Sequence, residues 1–392
     1  MQIIQSIIDN DLYKITMQNL VLHLYPDAEV DYKFNNRNKS MKFNKEFLDA
    51  FSYALVLMEE LSLSPREEVF LREKCPYLPE SYLHYLRNYR FNANEVRCNL
   101  TPDGDLDITI RGKWHSTILW EVPLMAIISE LYFIHCDKDW ILDNQLELAR
   151  GKASILFNNN CIFADFGTRR RRSYVSQETV VYALKDAPTF VGTSNVHLAK
   201  QFNVKPIGTM AHEFIMGVSA LEGLRNANRF SLEIWNKFYK GNLAVALTDT
   251  FGTDAFFKDF NLELARIYDV RHDSGEPCEF ADKVIKKYKS LGLDPTTKNI
   301  VFSDGLDVKE AVRIAKHCEG KIKCSFGIGT HLTNDYMKAD GSKSKALNMV
   351  IKLHSVNGIP VVKISDSATK AIGDKNALRV AMWTFFNHPL DV

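Results

Sequence analysis

An arginine and an aspartate two residues apart form the most specific chemical pattern of this sequence, in DVRHDSGEP, residues 269–277. Residues two apart lie on the same side of a β-strand, so Arg271 and Asp273 would share one face. Such a pair is more often a structural ion pair than a site. Its place at a predicted strand end, just before Ser and Gly, nevertheless leaves both side chains within reach of a ligand. A carboxylate there can hold sugar hydroxyls or Mg²⁺, which takes oxygen ligands and shares phosphates with its site.

Four consecutive arginines, residues 169–172, follow a glycine turn in DFGTRRRRSYVSQET. A basic run is usually a solvated helix face. This run follows a strand-like segment and leads into a helix, whose free N–H groups and positive dipole end attract anions. Guanidinium groups add bidentate contacts to phosphate or carboxylate oxygens. We therefore predict a phosphate contact in which no more than two of the four arginines face one ligand, and the sequence does not decide which two.

Two further turns join predicted strands to helices, in FSDGLD, residues 302–307, and in SFGIGTHLTND, residues 325–335. In the second turn, Gly327 and Gly329 would let backbone amides approach a phosphate closely. The fragment GxG is a weak signal by itself. The third glycine of the dinucleotide fingerprint is missing, and the sequence contains no GxxxxGK[ST] motif, so neither standard nucleotide-binding loop is predicted.

His212 stands at the start of a predicted helix in IGTMAHEFIMG, residues 207–217. A histidine in such a place is usually a capping or packing residue. The sequence has no HxH or HExxH spacing, which argues against zinc. The local sequence leaves the roles of packing residue, base and nucleophile open.

Short apolar runs, each closed by polar or glycine residues, recur after about residue 140 and alternate with amphipathic helical patterns. This alternation predicts βαβ units with parallel strands. About seven such units without a dinucleotide fingerprint favour a closed or irregular α/β barrel over an open sheet. We predict an N-terminal α+β domain over residues 1–140, with a hairpin around TPDGD. The barrel would take residues 141–392, with a C-terminal tail able to pack back on the N-terminal domain.

The predicted strand ends carry the residues that could do chemistry, and barrel active sites gather at the C-terminal ends of the strands. These residues are Ser194, His212, Asp249, Arg271, Asp273, Asp304, Gly327, Gly329 and Asp366. Four carboxylates, an arginine, a histidine and glycines together predict an anion and metal site.

The composition argues against several other classes of protein. The 392 residues are 46% hydrophobic and 25% charged, which is ordinary for a globular enzyme, and the net charge of +1 gives no field that favours nucleic acid or an anionic membrane. Seven cysteines without a CxxC pair predict free thiols in a reducing compartment. The N-terminal segment does not resemble a signal peptide, and apolar stretches such as LWEVPLMAIISELYF are expected to be too short to span a bilayer. We predict a cytoplasmic protein that binds neither nucleic acid nor membrane.

Nine motifs occur in order from residue 9 to about residue 370: NDLYKITMQ, DFGTRRRRS, GTSNVHLAKQF, KPIGTMAHEFIMG, ALTDTFGTDAFF, RHDSGEP, SDGLD, SFGIGTHLTND and VKISDS. Together they resemble the nicotinate phosphoribosyltransferases of the bacterial type. The resemblance implies the type II phosphoribosyltransferase fold, an irregular α/β barrel beside an N-terminal α+β domain. It implies synthesis of nicotinate mononucleotide and pyrophosphate from nicotinate and phosphoribosyl pyrophosphate in NAD salvage. It also implies ATP as co-substrate, Mg²⁺ as cofactor, and a homodimer with shared active sites.

The same resemblance assigns His212 as the histidine that ATP phosphorylates. A neutral imidazole nitrogen is a good nucleophile near pH 7, and a carboxylate can hold its tautomer. Asp249 is the implied carboxylate, and Glu213 is a weaker candidate because neighbouring helix positions do not face each other. Phe166, with Tyr13 of the partner subunit, would stack on the pyridine ring.

The remaining implied contacts concern the substrate's charged groups. Arg271 would meet the nicotinate carboxylate, with Ser194 completing that end. The related nicotinamide enzyme has aspartate at the position of Ser194, so the neutral serine favours nicotinate. Asp273 and Asp304 would hold the ribose hydroxyls, directly or through Mg²⁺.

Phosphates would be held by Arg169 and by the turn that contains Gly327 and Gly329.

Three alternative functions stay open at this stage. The first is a nicotinamide or quinolinate phosphoribosyltransferase of the same fold. The second is unrelated chemistry on an α/β barrel, such as an aldolase that uses Lys363. The third is a phosphate-binding regulatory module without turnover.

Overall fold

The structure, a computed structural model, describes residues 2–142, 144–367 and 370–387. The α-helices are α1 (Leu12–Leu24), α2 (Lys45–Glu59), α3 (Pro65–Lys74), α4 (Glu80–Asn88), α5 (Trp114–Thr117), α6 (Glu121–His135), α7 (Gln145–Asn158), α8 (Tyr174–Leu184), α9 (Val196–Gln201), α10 (His212–Glu222), α11 (Ala227–Tyr239), α12 (Thr253–Asp259), α13 (Leu262–Ile267), α14 (Pro277–Ser290), α15 (Val308–Cys318), α16 (Thr330–Thr333) and α17 (Lys375–Phe386). The β-strands are β1 (Glu29–Asn36), β2 (Val96–Leu100), β3 (Leu106–Lys113), β4 (Phe163–Asp165), β5 (Phe190–Thr193), β6 (Val245–Leu247), β7 (Asp269–His272), β8 (Asn299–Phe302), β9 (Lys323–Ile328), β10 (Tyr336–Met337), β11 (Lys343–Ser344), β12 (Met349–Val356) and β13 (Ile359–Pro360).

These elements form two compact units. The first unit comprises Met1–Phe157, Phe163–Gly208 and Ile328–Lys352. The second unit comprises Asn158–Ile162, Thr209–Gly327 and Leu353–Val392. The domain boundary predicted near residue 140 stays a prediction.

The first unit contains an antiparallel arrangement of β1, β3 and β2. Strands β2 and β3 pair from Val96 with Ile110 to Leu100 with Leu106, which confirms the hairpin predicted around TPDGD. Along β3, Leu106, Ile108 and Ile110 are buried and alternate with more exposed residues. One face of the strand therefore packs into the core, as the period of two predicts.

A continuous helical stretch, Trp114–His135, crosses the core of the first unit. Its length and apolar composition would suffice to cross a membrane. However, 94% of its most apolar 18-residue stretch is buried inside the protein. The short 3-10 turn Ile118–Trp120 joins α5 to α6, so the run is longer than LWEVPLMAIISELYF. The expectation that this stretch is too short to span was wrong, and its burial accounts for its apolar composition.

Two parallel strands of the first unit, β4 and β5, end next to each other, with Asp165 paired to Thr193. The residues that follow them are Phe166 and Ser194. Both belong to the side chains that the sequence assigned to substrate binding. The short strands thus place these residues at one edge of the first unit.

The second unit is built on four parallel strands in the order β6, β7, β8 and β9. The amphipathic segments EFADKVIKKYKSLG and DVKEAVRIAKHC form α14 and α15, as predicted, and the side chains of Glu276 and Asp307 cap them. Parallel strands joined by helices place the carboxyl ends of all strands at one edge. Asp249, Asp273 and Asp304 therefore lie just beyond the ends of three adjacent strands.

Two predicted strand segments are not regular strands. The segment KPIGTM contributes one isolated bridge, between Thr193 and Pro206, and the segment PVVKISD contributes one, between Lys363 and Ile372. Proline lacks the N–H that a ladder needs, which limits pairing at the first segment. In the second segment the single bridge fixes the backbone of Lys363.

Candidate active site

His212 is the first residue of α10, and its imidazole is buried. The preceding residue, Ala211, has an extended backbone and starts the helix without a side-chain cap. The side chain of His212 is therefore directed at loops that follow neighbouring strands instead of capping its own helix. Only 5% of the residue is exposed.

Four side chains surround the two ring nitrogens of His212. Nδ1 lies 3.0 Å from Oγ1 of Thr250. Nε2 lies 2.8 Å from Nζ of Lys363, 3.1 Å from Oδ2 of Asp273 and 3.4 Å from Oδ1 of Asp249. One ring nitrogen is thus in contact with an ammonium group and two carboxylates.

Asp249 is held through Oδ2, the carboxylate oxygen that lies farther from Nε2 of His212. Its Oδ2 accepts hydrogen bonds from Oγ of Ser274 at 2.6 Å and from Nζ of Lys363 at 3.0 Å. Its Oδ1 is buried without a hydrogen-bond partner among the described residues, apart from the 3.4 Å approach to Nε2. The carboxylate is therefore fixed with one oxygen directed at the imidazole.

Asp273 is fixed by its own strand and by the next one. Its Oδ1 accepts hydrogen bonds from Nη2 of Arg271 at 3.2 Å and from Oγ of Ser303 at 3.0 Å. Nε of Arg271 donates to the same serine at 2.8 Å. Arg271 and Asp273 share one side of β7, as their spacing predicts, while the intervening His272 is buried against Phe280 and Phe302.

Lys370, which the sequence did not single out, bridges Asp304 and Asp273. Nζ of Lys370 donates to Oδ1 of Asp304 at 2.5 Å and to the backbone oxygen of Asp273 at 2.9 Å. Asp366, another strand-end acid, accepts from the backbone N–H of Thr253 at 2.7 Å and so caps α12. Asp366 has a structural partner that accounts for its position.

The electrostatic environment keeps the imidazole neutral. Burial is the largest cause and the ammonium of Lys363 the second, and together they lower the pKa of His212 to about 4, against the opposing effect of Asp249 and Asp273. Burial also opposes ionisation of Asp273, but Arg271 and His212 outweigh it and hold its pKa well below the usual range. The result is a neutral ring between two ionised carboxylates at neutral pH.

A second polar centre lies in the first unit, around Ser194. Its hydroxyl donates to Oδ1 of Asp11 at 2.7 Å, and burial raises the pKa of Asp11. Because the hydroxyl hydrogen is given to Asp11, Ser194 offers only acceptor lone pairs to a further group. Phe166 is half-buried beyond β4, and Tyr13 is 8% exposed in the single chain.

The arginine run separates into two pairs. Nη1 of Arg169 lies 3.7 Å from Oε1 of Glu121, and Arg170 donates two hydrogen bonds to the backbone oxygen of Met349. Both arginines are partly exposed, whereas Arg171 and Arg172 are fully buried. The helix N-terminus that follows is occupied by protein groups, since Ser173 caps α8 and the N–H of Tyr174 donates to Glu130.

Two lysines that the sequence analysis missed share the carboxylate near Arg169. Nζ of Lys14 lies 2.6 Å from Oε2 of Glu121, and Nζ of Lys352 lies 4.0 Å from Oε1. Burial opposes ionisation of Glu121, yet these cations lower its pKa to about 2. Three cations around one carboxylate leave an excess of positive charge, which suits an anion.

The two glycines predicted to form a phosphate turn occupy different elements. Gly327 lies inside β9, and Gly329 follows its end. A Cβ at Gly329 would lie 2.9 Å from the backbone oxygen of Phe166, so the close packing of two chain segments already requires glycine there.

A cation could be held by the acids of the histidine centre. The ligand atoms of His212, Asp249 and Asp273 lie within 4.8 Å of one another. Oδ1 of Asp249, buried without a hydrogen-bond partner in the described part of the chain, is an oxygen donor of the type that Mg²⁺ takes. The two carboxylates therefore fit a divalent cation shared with substrate phosphates, whereas Asp304 is already paired with Lys370.

The residues that sequence reasoning missed at this centre are Thr250, Lys363 and Lys370. Thr250 directly follows Asp249 in LTDTF, and Lys363 stands at the end of an apolar run in VVKISD, a pattern that by itself suggests only an aldolase lysine. Lys363 and His212 are 151 residues apart in the chain, so no local pattern links them.

Comparison with known proteins gives a family for the whole chain. Residues 161–390 match the nicotinate phosphoribosyltransferase (NAPRTase) family, and residues 8–129 match the N-terminal domain of the same family. The nicotinate phosphoribosyltransferase of Methanosarcina mazei is 51% identical, with 99% of this chain and 100% of that protein covered.

Solved structures agree with the sequence comparison. The crystal structure of nicotinate phosphoribosyltransferase from Porphyromonas gingivalis has a TM-score of 0.93 at 37% identity and covers 98% of this chain and 100% of its own. That from Vibrio cholerae has a TM-score of 0.92 at 38% identity, with 100% and 95% covered. The predicted fold class, an irregular α/β barrel with an N-terminal α+β domain, is confirmed as a mixed α/β fold with a parallel sheet and an N-terminal domain.

Proposed function

The chain belongs to the nicotinate phosphoribosyltransferase family, and we propose that it converts nicotinate and phosphoribosyl pyrophosphate to nicotinate mononucleotide and pyrophosphate, coupled to ATP hydrolysis. The observation that carries the coupled mechanism is the buried neutral imidazole of His212, with Asp273 and Asp249 at Nε2. A histidine that is to accept a phosphoryl group needs a lone pair and a fixed ring, and these contacts supply both.

In the first step, the lone pair of a His212 ring nitrogen attacks the γ-phosphorus of ATP. The N–P bond forms as the bond from γ-phosphorus to the bridging oxygen breaks, and ADP leaves with the electron pair. The attacking nitrogen is Nε2, whose lone pair faces the ammonium of Lys363, and the ring proton stays on Nδ1, beside Oγ1 of Thr250. A carboxylate that faces Nε2 stabilises the positive charge that develops on the ring, and Asp249 and Asp273 are the two that can do so.

In the second step, the pyridine nitrogen attacks C1 of the ribose as pyrophosphate leaves. The transition state carries positive charge on C1 and the ring oxygen, which a nearby carboxylate tolerates. No general base is needed, because the lone pair of the pyridine nitrogen is free. Water then attacks the phosphorus on His212, the N–P bond breaks, and phosphate leaves while Nε2 regains its lone pair. We assign the ribose hydroxyls to Asp273 and Asp304, and the nicotinate carboxylate to Arg271.

Mg²⁺ is the proposed cofactor, held by substrate phosphates and by Asp273 or Asp304. When bound, the ion would neutralise negative charge on the phosphates that leave or transfer. Of the two acids, Asp273 lies beside the oxygen of Asp249 that lacks a hydrogen-bond partner, and Asp304 would first have to release Lys370. These contacts favour Asp273.

In the first unit, Arg169 is the proposed phosphate contact, and Lys14 and Lys352 support it through the shared carboxylate of Glu121. The buried pair Arg171 and Arg172 is assigned to structure. Phe166, and Tyr13 of the partner subunit in the proposed homodimer, would stack on the pyridine ring. We also retain the cytoplasm as the proposed location.

A turnover assay tests the function most directly. The purified protein is given phosphoribosyl pyrophosphate and Mg²⁺ with nicotinate, nicotinamide or quinolinate, each with and without ATP. We expect product from nicotinate, faster with ATP. Preferred use of nicotinamide or quinolinate would replace this proposal with one of the related activities.

The phosphohistidine needs its own test. With γ-labelled ATP, we expect acid-labile label on the wild type and none on His212→Ala. Label that persists in the variant would remove His212 from the mechanism while leaving the turnover result intact.

Ser194 is the proposed selector of the acid over the amide. Since its hydroxyl hydrogen is given to Asp11, its contribution is the absence of a charge that would repel a carboxylate. Ser194→Asp should shift the ratio of kcat/KM values toward nicotinamide, and Ser194→Ala should not. An unchanged ratio in Ser194→Asp would end this role.

A further inference from the structure

Lys363 is a buried lysine whose ammonium touches the proposed phosphoryl acceptor. The residue is 4% exposed, and Nζ lies 2.8 Å from Nε2 of His212 and 3.0 Å from Oδ2 of Asp249. The contact with the ring is the shortest of the three that Nε2 makes. Lys363 is therefore in direct contact with the reacting group.

The backbone of Lys363 is fixed on both sides. Its N–H donates to the oxygen of Ile372 and its oxygen accepts from the N–H of the same residue, both at 2.8 Å. The next residue, Ile364, donates to the oxygen of Thr250 at 2.8 Å. Thr250 also meets Nδ1 of His212, so the lysine and the histidine are anchored to the same loop.

A structural role as counter-ion to Asp249 does not explain this position. Oδ2 of Asp249 already accepts a hydrogen bond from Ser274 at 2.6 Å, with Ser365 at 3.3 Å. Lys152 shows how a purely structural buried lysine is placed, since its ammonium donates to the backbone oxygen of His331 and to Asp335. Lys363 differs because one contact is to a ring nitrogen.

The negative charge of a phosphoryl group transferred to His212 requires a nearby cation, and Lys363 is placed to supply it. A transferred phosphoryl group is negatively charged and would land on a ring already flanked by Asp249 and Asp273. Like charges a few ångströms apart in a buried site repel each other strongly, because the surroundings screen them less than water does. Arg271 is engaged by Asp273, and among the described residues Lys363 is the cation whose contact with the ring is shown.

We propose that Lys363 is a catalytic residue of the phosphoryl-transfer step, whose ammonium moves from contact with His212 to a non-bridging oxygen of the phosphoryl group. The lysine forms no covalent bond and keeps its proton. Only the N–P bond forms, and only the bond to the ADP oxygen breaks. This role rests on the proposed phosphorylation of His212.

Single-turnover labelling of the full-length protein with γ-labelled ATP and Mg²⁺ tests the role. For Lys363→Met we expect the rate of phosphohistidine formation to fall roughly 10²- to 10³-fold, the usual loss when one preorganised donor to a developing charge is removed. The ATP concentration that gives half the maximal rate should change less than the rate itself. Lys363→Arg should recover part of the rate, because the charge is kept.

Lys152→Met is the matched control, since it removes another buried, ion-paired lysine, and its transfer rate should equal that of the wild type. If Lys363→Met does not fold, Lys363→Gln decides, because its amide can still donate to Asp249. A folded neutral variant that transfers at the wild-type rate overturns the inference. A wild-type protein that takes no label overturns the phosphohistidine proposal instead.

Discussion

Two regions of the molecule bury several charges each and arrange them differently. In the first unit, both terminal nitrogens of Arg171 are bound by the carboxylate of Asp9, at 2.8 and 3.0 Å. In the second unit, three charged groups face the single ring nitrogen Nε2 of His212. In the first region, each charged group has its own partner. In the second region, three charged groups contact the same nitrogen atom.

The difference separates a structural group from a reactive one. In the pair of Asp9 and Arg171, each charge already faces its opposite through two hydrogen bonds, although Nε of Arg171 is buried without a hydrogen-bond partner among the described residues. A neutral ring between Lys363, Asp249 and Asp273 has partners that can change when a phosphoryl group arrives. We therefore expect substitutions in the first region to change stability, and substitutions in the second to change reaction rate.

The largest effect is expected for Asp249→Asn. The substitution keeps the shape but removes the charge that would stabilise a positively charged ring, so His212 phosphorylation should fall roughly 10²- to 10⁴-fold. Single-turnover labelling measures this rate, and the thermal midpoint should change by only a few degrees. Asp269→Asn, at the opposite end of β7, is the control and should leave the rate unchanged.

Asp273→Asn sharpens the same test. Asp273 lies 3.1 Å from Nε2 and Asp249 lies 3.4 Å from it, so distance alone favours Asp273. A smaller loss in Asp249→Asn than in Asp273→Asn would transfer the orienting role to Asp273. Equal rates in wild type and both variants would contradict a carboxylate-assisted histidine.

Arg171→Met tests the structural side of the comparison. It leaves Asp9 buried without its cation, which should lower the free energy of unfolding by about 3–5 kcal/mol. Chemical denaturation at pH 7 measures the loss. The double substitution Asp9→Asn with Arg171→Met should recover part of it, because no unpaired charge is left.

The stability difference between the wild type and Arg171→Met should depend on pH in a predictable direction. The pKa of Asp9 is lowered in the folded state: burial opposes the shift, but Arg171 outweighs it. A carboxylate with a lowered folded pKa contributes stability above its unfolded pKa, near 3.9, and loses it as the pH falls through the folded value. The gap between wild type and Arg171→Met should therefore shrink in acid. A gap that is constant with pH would mean that packing, not charge, causes the loss.

The sequence predicts the elements of these regions better than their contacts. The strand ends that carry Asp249, Asp273 and Asp304 follow from apolar runs closed by polar residues, a local pattern. The spacing of Arg271 and Asp273 is also local, and the two side chains do share a face of β7. Within one strand and its turn, the period of the backbone decides which residues meet.

Contacts between distant segments escaped the sequence analysis. Lys363 meets His212 only because an isolated bridge and the loop at Thr250 fix its backbone. Likewise, the four arginines read as one basic run, and the structure divides them because Asp9 and an aromatic cluster bury two. Neither Asp9 nor the aromatic cluster is near the arginine run in sequence. The local motif therefore predicts the positive charge but not which arginines are buried.

Arg172→Lys tests that aromatic cluster and is expected to have a smaller effect. The guanidinium carbon lies 3.5 Å from the ring centre of Phe133, 4.6 Å from that of Tyr336 and 5.1 Å from that of Trp140. A lysine keeps the charge but cannot stack as a plane or reproduce the hydrogen bonds of the guanidinium to Asn334 and Ser344, so we expect a loss of about 1–2 kcal/mol in the free energy of unfolding. Arg66→Lys, at an exposed site, is the control and should leave the free energy of unfolding unchanged. No loss in Arg172→Lys would mean that charge alone matters there.

We expect the smallest effect at His272. This residue tests the distinction between structural and reactive groups. The residue is 2% exposed, and neither ring nitrogen has a hydrogen-bond partner among the described residues. Burial lowers its pKa, so the unfolded chain binds a proton near pH 6.5 that the folded protein does not, and stability falls as the pH drops through that value. His272→Phe removes the unpaired nitrogens and should raise the free energy of unfolding by roughly 1 kcal/mol at pH 7, with a larger gain at pH 5. Denaturation at both pH values measures this. A loss of stability at both pH values would contradict the assignment of His272 as a buried histidine with unpaired nitrogens.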